Sequence, residues 1–266
     1  MSSDYILAYG THASPQDGRC AMEWVSYLAG EPHSDQPTCV SPVLRAMCIA
    51  LNDGLDQEPR QRLRPYLTRT IGTAEDDLDG WRGWLAMDWL TRTYTPAWLR
   101  LAGLREIAER LETAAEVTGP ASLGTALELL EVVCREARAA RAKAFGSPLP
   151  TGWAAAVAAG VAGREAAWAC AGAAAWAAAR IGVGDVAGDR ARAAARAAAG
   201  DAAAIAVRHS RTSAWHAGAR AAAQEALDPT LERLADSALA LLDRMLPTEA
   251  LPVPEPALAP TAPALT

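Results

Sequence analysis

The chain has 266 residues, 51% of them hydrophobic, and 31 acidic against 25 basic side chains give it a formal charge of −6. This is a globular composition, long enough to bury a core without disulfides or metal, and its acidic balance argues against a protein whose main task is neutralising phosphates. Usage within it is lopsided: nine Trp stand against one Phe, and Lys143 is the single lysine.

The start, MSSDYILAYG, has no basic region followed by a long apolar one, so no signal peptide is expected and the reading is cytoplasmic. Five Cys without regular pairing read as free thiols or ligands. The longest uncharged runs are mostly Ala and Gly and too short to span a bilayer.

Helix signals dominate in chain order. Asp17 is placed to cap a helix over Gly18 to Ala29, with Cys20, Trp24 and Leu28 on one stripe and Gly30 at its end. Ser41-Pro42 is an N-cap and first-turn pair, after which Leu44, Met47, Cys48 and Leu51 repeat at helical spacing up to Gly54. A third helix is expected from Glu58 to Thr70. Thr73 to Asp76 reads as a capping box opening a helix with Trp81, Trp84, Leu85, Trp89 and Leu90, which Pro96 breaks or kinks. Leu104, Ile107, Ala108, Leu111 and Ala115 mark the next helix, and Leu123, Leu127, Leu130, Cys134 and Ala137 the one after, ending near Phe145.

The composition then changes. After a linker at 146–152 (GSPLPTG), nearly half of the residues from Trp153 to Glu225 are Ala, the strongest helix former, with breaks expected at Gly182-Val183-Gly184 and around Arg208 to Ser213. Asp228-Pro229 is expected to start a last amphipathic helix carrying Leu231, Leu234, Ala238, Leu241, Leu242 and Met245. The tail 247–266, with six Pro, reads as disordered. Only Tyr5 to Tyr9 resembles a strand. The expected fold is therefore all-α: a Trp-rich helical domain over 1–145, then an Ala-rich antiparallel helical bundle over 153–246.

Gly10-Thr11-His12-Ala13-Ser14-Pro15-Gln16-Asp17-Gly18-Arg19-Cys20-Ala21-Met22-Glu23, then Leu28-Ala29-Gly30-Glu31-Pro32, Ser34 to Cys39, and the run Ala86 to Leu104 carry a resemblance. Over about residues 8 to 105 the chain resembles a family of uncharacterised actinobacterial and actinophage proteins, whose members often continue into an Ala-, Trp- and Arg-rich helical region. The resemblance implies no activity. Where such members commonly have His in the Ser-Asp-x-Pro segment, this chain has Gln36.

The main candidate constellation is His12, Cys20, His33 and Cys39, with Glu23, Glu31 and Asp35 interspersed. Two Cys and two His suit a tetrahedral zinc site that would pin residues 10 to 41, although the spacing matches no strong template and core or loop packing is the more ordinary account. Cys20 in a first helical turn, with His12 near in sequence, is also a candidate nucleophile and base. Asp88 sits in an apolar run with Arg92 four residues on, which favours a structural ion pair over an acid–base role. The acidic group Glu75, Asp76, Asp77 and Asp79 reads as complementing a helix N-terminus rather than holding metal. Gly182 to Gly188 is a helix break, because no strand precedes it to build a dinucleotide loop.

Arg190, Arg192 and Arg196, with Arg208, Arg211 and Arg220, form a locally basic stretch that offers contact to nucleic acid or an acidic partner. His209 and His216 are too far apart along a helix to share one ion. Alanine surfaces bury little area per residue and need tight lateral packing. The reading is thus a non-enzymatic scaffold or interaction protein that self-associates through its Ala-rich helices. The alternatives are a metal- or cysteine-dependent enzyme using the His12/Cys20/His33/Cys39 region, and a regulator touching nucleic acid through the Arg-bearing helix.

Overall fold

The computed structural model describes residues 5–146, 171–210 and 219–246. The expected linker from residue 147 on, Trp153, Trp168, Cys170, residues 211–213 of the break expected around Arg208 to Ser213, His216 and the Pro-rich tail lie outside the described residues, and Arg208 to Ser210 are still helical. The fold is all-α, with no strand among the described residues. No helix there is long and apolar enough to cross a membrane.

The N-terminal half contributes α1 (Ala21–Leu28), α2 (Pro42–Gly54), α3 (Gln57–Arg60), α4 (Arg64–Thr70), α5 (Asp79–Trp89), α6 (Thr95–Leu101), α7 (Arg105–Glu112) and α8 (Pro120–Gly146). The alanine-rich half contributes α9 (Ala171–Gly182), α10 (Val186–Ser210) and α11 (Ala219–Met245). Several boundaries follow the local chemistry directly. The Ser41 hydroxyl accepts from Leu44 N–H at 3.3 Å and Pro42 opens α2, whose Leu44, Met47, Cys48 and Leu51 are all fully buried. Gly30 takes a positive φ of 74° just beyond α1, as a helix terminator does.

Other boundaries differ from expectation, each for a physical reason. Asp17 does not cap α1; it sits in a turn with Ser14, and Cys20 is the N-cap, because Gly18 at φ 127° keeps the preceding residues out of the helix. Trp24 is only half-buried, and the inward stripe of α1 is Ala21, Met22, Val25 and Leu28. The segment 57–70 is two helices joined by a 3₁₀ turn at Gln61–Leu63, since Pro65 has no N–H to continue the first. Thr73–Glu75 forms only a 3₁₀ turn, and α5 starts at Asp79. Pro96 does not break the helix. A π turn at Leu90–Tyr94 precedes it, in which Thr95 N–H reaches back five residues to Leu90 O. The Thr95 hydroxyl donates to the same carbonyl at 2.7 Å. Pro229, expected to start the last helix, lies inside α11.

Tyr5 to Tyr9 is extended but has no neighbouring strand. Ala8 N–H donates to the Arg19 carbonyl at 2.8 Å, and side chains supply the rest: Gln61 accepts from Leu7 N–H at 2.9 Å and donates to Leu7 O at 3.0 Å. Asn52 donates to Ala8 O at 3.0 Å, and Trp24 Nε1 to Ile6 O at 3.2 Å.

The alanine helices pack against the N-terminal half. Helix α9 lies on α2 and α5, α10 on α8 and α6, and α11 on α10, α9, α5 and α6. Close approach is what Ala and Gly permit. Ala174, Ala175, Ala178 and Ala179 on α9, and Ala191, Ala198, Ala199, Ala202 and Ala203 on α10, are fully buried. The break at Gly182 to Gly184 falls where α9 crosses α5, and a Cβ on Gly83 would stand 2.6 Å from the Gly182 backbone.

Buried charge ties these layers together. Arg82, with no exposed surface, grips Asp76 with both terminal nitrogens and donates from Nε to the Met245 carbonyl at 3.0 Å, at the negative end of α11. The Asp76 carboxyl would be raised by burial, but the Arg82 guanidinium and Leu78 N–H hold it below the ordinary range. Asp79 accepts the Ser41 hydroxyl. In the acidic group, then, Asp76 and Asp79 serve an arginine and a serine.

Candidate functional site

The sequence-predicted residues gather in the segment that wraps α1, and the group at their centre is one that the reading placed only among the neighbours: Glu23. This side chain has no exposed surface and sits at the third position of α1, so it closes a reciprocal capping box with Cys20. It accepts Cys20 N–H at 2.7 Å, and Cys20 Sγ accepts Glu23 N–H at 3.5 Å. The same carboxylate takes His12 N–H at 2.6 Å and His12 Nδ1–H at 2.8 Å. His33 Nε2 lies 3.7 Å from the other Glu23 oxygen and donates to the His12 carbonyl at 3.0 Å. Burial acts to raise the Glu23 carboxyl, but the hydrogen bonds from His12 and Cys20 outweigh it and hold it below the ordinary value, so it is ionised at neutral pH.

Cys39 belongs to a different anchor. Glu31 accepts Cys39 N–H at 2.9 Å, Thr38 N–H at 2.7 Å and the Thr38 hydroxyl at 2.9 Å. Cys39 in turn passes its carbonyl to Gly72 N–H at 2.9 Å. The tetrahedral set of His12, Cys20, His33 and Cys39 is thus divided between two carboxylates. Among the described residues no group of three or more His, Cys, Asp or Glu side chains is placed to hold a metal ion. One nitrogen of each imidazole is already spent, His12 Nδ1 on Glu23 and His33 Nε2 on a carbonyl.

Burial disfavours the thiolate form of Cys20, Cys39 and Cys48. A helix N-terminus by itself lowers a thiol pKa. At Cys20 burial dominates instead and pushes it up to about 12, with the Glu23 charge adding to the rise against backbone hydrogen bonds that lower it. Burial likewise raises Cys39 to about 11 and Cys48 to about 12. The His12 ring, fixed by Glu23 through Nδ1, lies with Nε2 close to Gly18. A Cβ there would stand 3.0 Å from Nε2.

The outward side of the same helix carries a second feature. Arg19 lies 4.8 Å from the ring centre of Trp24 and 4.7 Å from that of Tyr27. Tyr5 packs on Trp24 at 4.4 Å, and Arg60 lies 5.6 Å from the Tyr9 ring. Ile6 and Tyr27, beside this stack, are 64% and 53% exposed, and Tyr9, beside Arg60, is 67% exposed. Aromatic residues and arginine on an accessible face are the composition of protein contact surfaces.

Asp88 behaves as the spacing implied. It is nearly buried and pairs with Arg92 Nε at 2.8 Å, and it also accepts Val117 N–H at 3.0 Å, tying the α7–α8 connection to α5. Among the described residues, Arg190, Arg192 and Arg196 do not form one continuous face. Arg192 is buried, donating to the Ala179 and Val183 carbonyls at 3.1 and 3.0 Å and pairing with Asp189, while Arg190 pairs with Glu131. Arg196 is exposed.

No family model, curated protein or solved structure matches the chain.

Proposed function

We propose that the protein is a non-enzymatic helical interaction protein that associates with a second copy of itself through the aromatic surface on α1. The carrying observation is that Ile6 and Tyr27 are exposed beside the Arg19–Trp24–Tyr27 stack, with Tyr9 exposed three residues further along the Ile6 segment, next to Arg60. Exposed aromatic and apolar side chains on a face of this kind can pack against the same residues of a second copy across a two-fold axis. The Glu23 and Glu31 anchors then have a clear purpose. They hold residues 8 to 41 in one shape, so the patch meets its partner without an ordering cost. The alanine faces of α9 and α10, the first candidates for association, are largely covered by helices of the same chain.

Sedimentation velocity across about 1 to 100 µM is the test, a range that brackets micromolar association. The full chain should shift from monomer to dimer, and Tyr9→Ala/Tyr27→Ala should remain monomeric with unchanged helical content. A wild-type monomer throughout that range, or a dimer that the double variant preserves, overturns the reading.

A further inference from the structure

The base on the α1 surface is held in place without an acceptor. Arg19 lies in the corner between Trp24 and Tyr27, two rings that meet edge-on at 84°, with its guanidinium carbon 4.8 and 4.7 Å from their centres. The Trp24 ring is itself fixed by its bond to the Ile6 carbonyl. Arg19 Nε is buried and has no hydrogen-bond partner, and among the described residues the guanidinium makes no hydrogen bond or ion pair. Only Nε is shut away, and the two terminal nitrogens stay open to solvent.

The neighbouring acids are occupied elsewhere. Residues 5–53 contain five carboxylates. Asp17 accepts the Ser14 hydroxyl at 2.7 Å, Asp35 the Thr11 hydroxyl at 2.8 Å and Asp53 the Gly10 N–H at 3.1 Å, while Glu23 and Glu31 hold the two anchors described above. Each acid of the segment thus serves a donor of that segment, and none reaches Arg19. A guanidinium partly stripped of water and given no acceptor carries a cost that an acceptor from outside removes. Its planar fork matches a carboxylate, and rings on two sides shield such a pair from water.

We infer that Arg19 is the polar anchor of the dimer: a carboxylate of the second copy pairs with its two terminal nitrogens, and two-fold symmetry makes the pair twice. The chain has acceptors to offer, with 31 acidic against 25 basic side chains. The inference rests on the self-association reading and adds the group that this surface recognises.

The test is sedimentation velocity of the full chain over about 1 to 100 µM, in about 50 mM and about 500 mM NaCl, for wild type, Arg19→Met and Arg19→Lys. Methionine keeps a flexible chain against the rings and removes the charge, whereas lysine keeps the charge and removes the fork. The wild-type dimer should weaken by about threefold or more at the higher salt. Arg19→Met should dimerise about tenfold more weakly at the lower salt and lose most of the salt response, with Arg19→Lys between the two. A dimer that Arg19→Met leaves as tight as wild type, that Arg19→Lys restores in full, or that ignores salt overturns the inference and leaves self-association standing. A wild-type monomer throughout overturns both. Far-UV circular dichroism checks the fold of each variant, and if Arg19→Met changes helical content, the lysine variant and the wild-type salt response decide.

Discussion

Gly83 on α5 and Gly182 at the end of α9 meet backbone to backbone, with room for no side chain on either: a Cβ on Gly83 would stand 2.6 Å from both Cα and carbonyl carbon of Gly182. The contact joins the bulky half of the sequence to the alanine-rich half. Gly83→Ala must push the helices apart and should cost about 1–3 kcal/mol, as overpacking does. Gly124, exposed in α8 with nothing within 4 Å of its Cβ position, is the matched control. There Gly→Ala should stabilise by about 0.5–1 kcal/mol through helix propensity. Chemical denaturation of the two variants should show midpoints moving in opposite directions. A Gly83→Ala protein as stable as wild type would mean that the two helices do not cross at this contact.

The Glu23 carboxyl is held below its ordinary value in the folded chain, so its contribution to stability is full above the unfolded value near 4.5 and is lost as pH falls through the folded one. Glu23→Gln keeps the shape but removes an acceptor from the donors of His12 and Cys20, for a cost of about 1–3 kcal/mol at pH 7. Urea unfolding from pH 7 down to pH 3 should show the gap between wild type and variant narrowing below about pH 4.5. A gap constant across that range would place the stabilisation elsewhere.

Thiol chemistry gives a third expectation. With Cys20 and Cys48 pushed up to about 12 and Cys39 to about 11, these thiols are almost wholly protonated at pH 8. Alkylation by iodoacetamide, read peptide by peptide by mass spectrometry, should be at least ~100-fold slower at each of the three in the native chain than in urea. Rapid native labelling of Cys20 would return it to the list of nucleophiles.

Asp88 separates charge from acceptor geometry. Asp88→Ala strands the buried Val117 N–H and unpairs Arg92, and should cost about 2–4 kcal/mol, whereas Asp88→Asn retains an oxygen for Val117 and should cost about half as much. Thermal unfolding of both proteins decides between them, and equal losses would show that the ion pair alone matters.

How much of this was legible in the sequence depended on the range of the interaction. Ser41-Pro42, Gly54, the stripe of α2 and the Asp88–Arg92 pair are local signals within one or two turns, and the structure carries each of them. The Cys20-x-x-Glu23 capping box was equally local. Glu at the third helical position signals it, but Cys is a weak capping residue beside Ser, Thr, Asp or Asn, so Asp17 drew attention instead. Other features were out of reach because their partners are far along the chain. Arg82 reaches Met245, Trp89 Nε1 donates to Ser237 Oγ at 2.8 Å, and Gln61 completes the backbone of Leu7. The candidate ligands His12, Cys20, His33 and Cys39 were named for donor type alone. Periodicity does not say which nitrogen a neighbouring carboxylate has already taken.

The π turn before Pro96 also sets the phase of everything after it. One additional residue advances a helix by about 100°, so the turn decides which way α6 faces relative to α5. With it, Trp89 and Trp98 are both buried, at 4% and 0% exposure, and Tyr94 lies between them with ring centres 5.7 Å and 6.4 Å away. Shortening the 90–94 segment by a single residue would give a more regular helix and a worse protein: Trp98 would swing a quarter-turn or more toward the flank, and the aromatic column that α10 rests on would lose its last member.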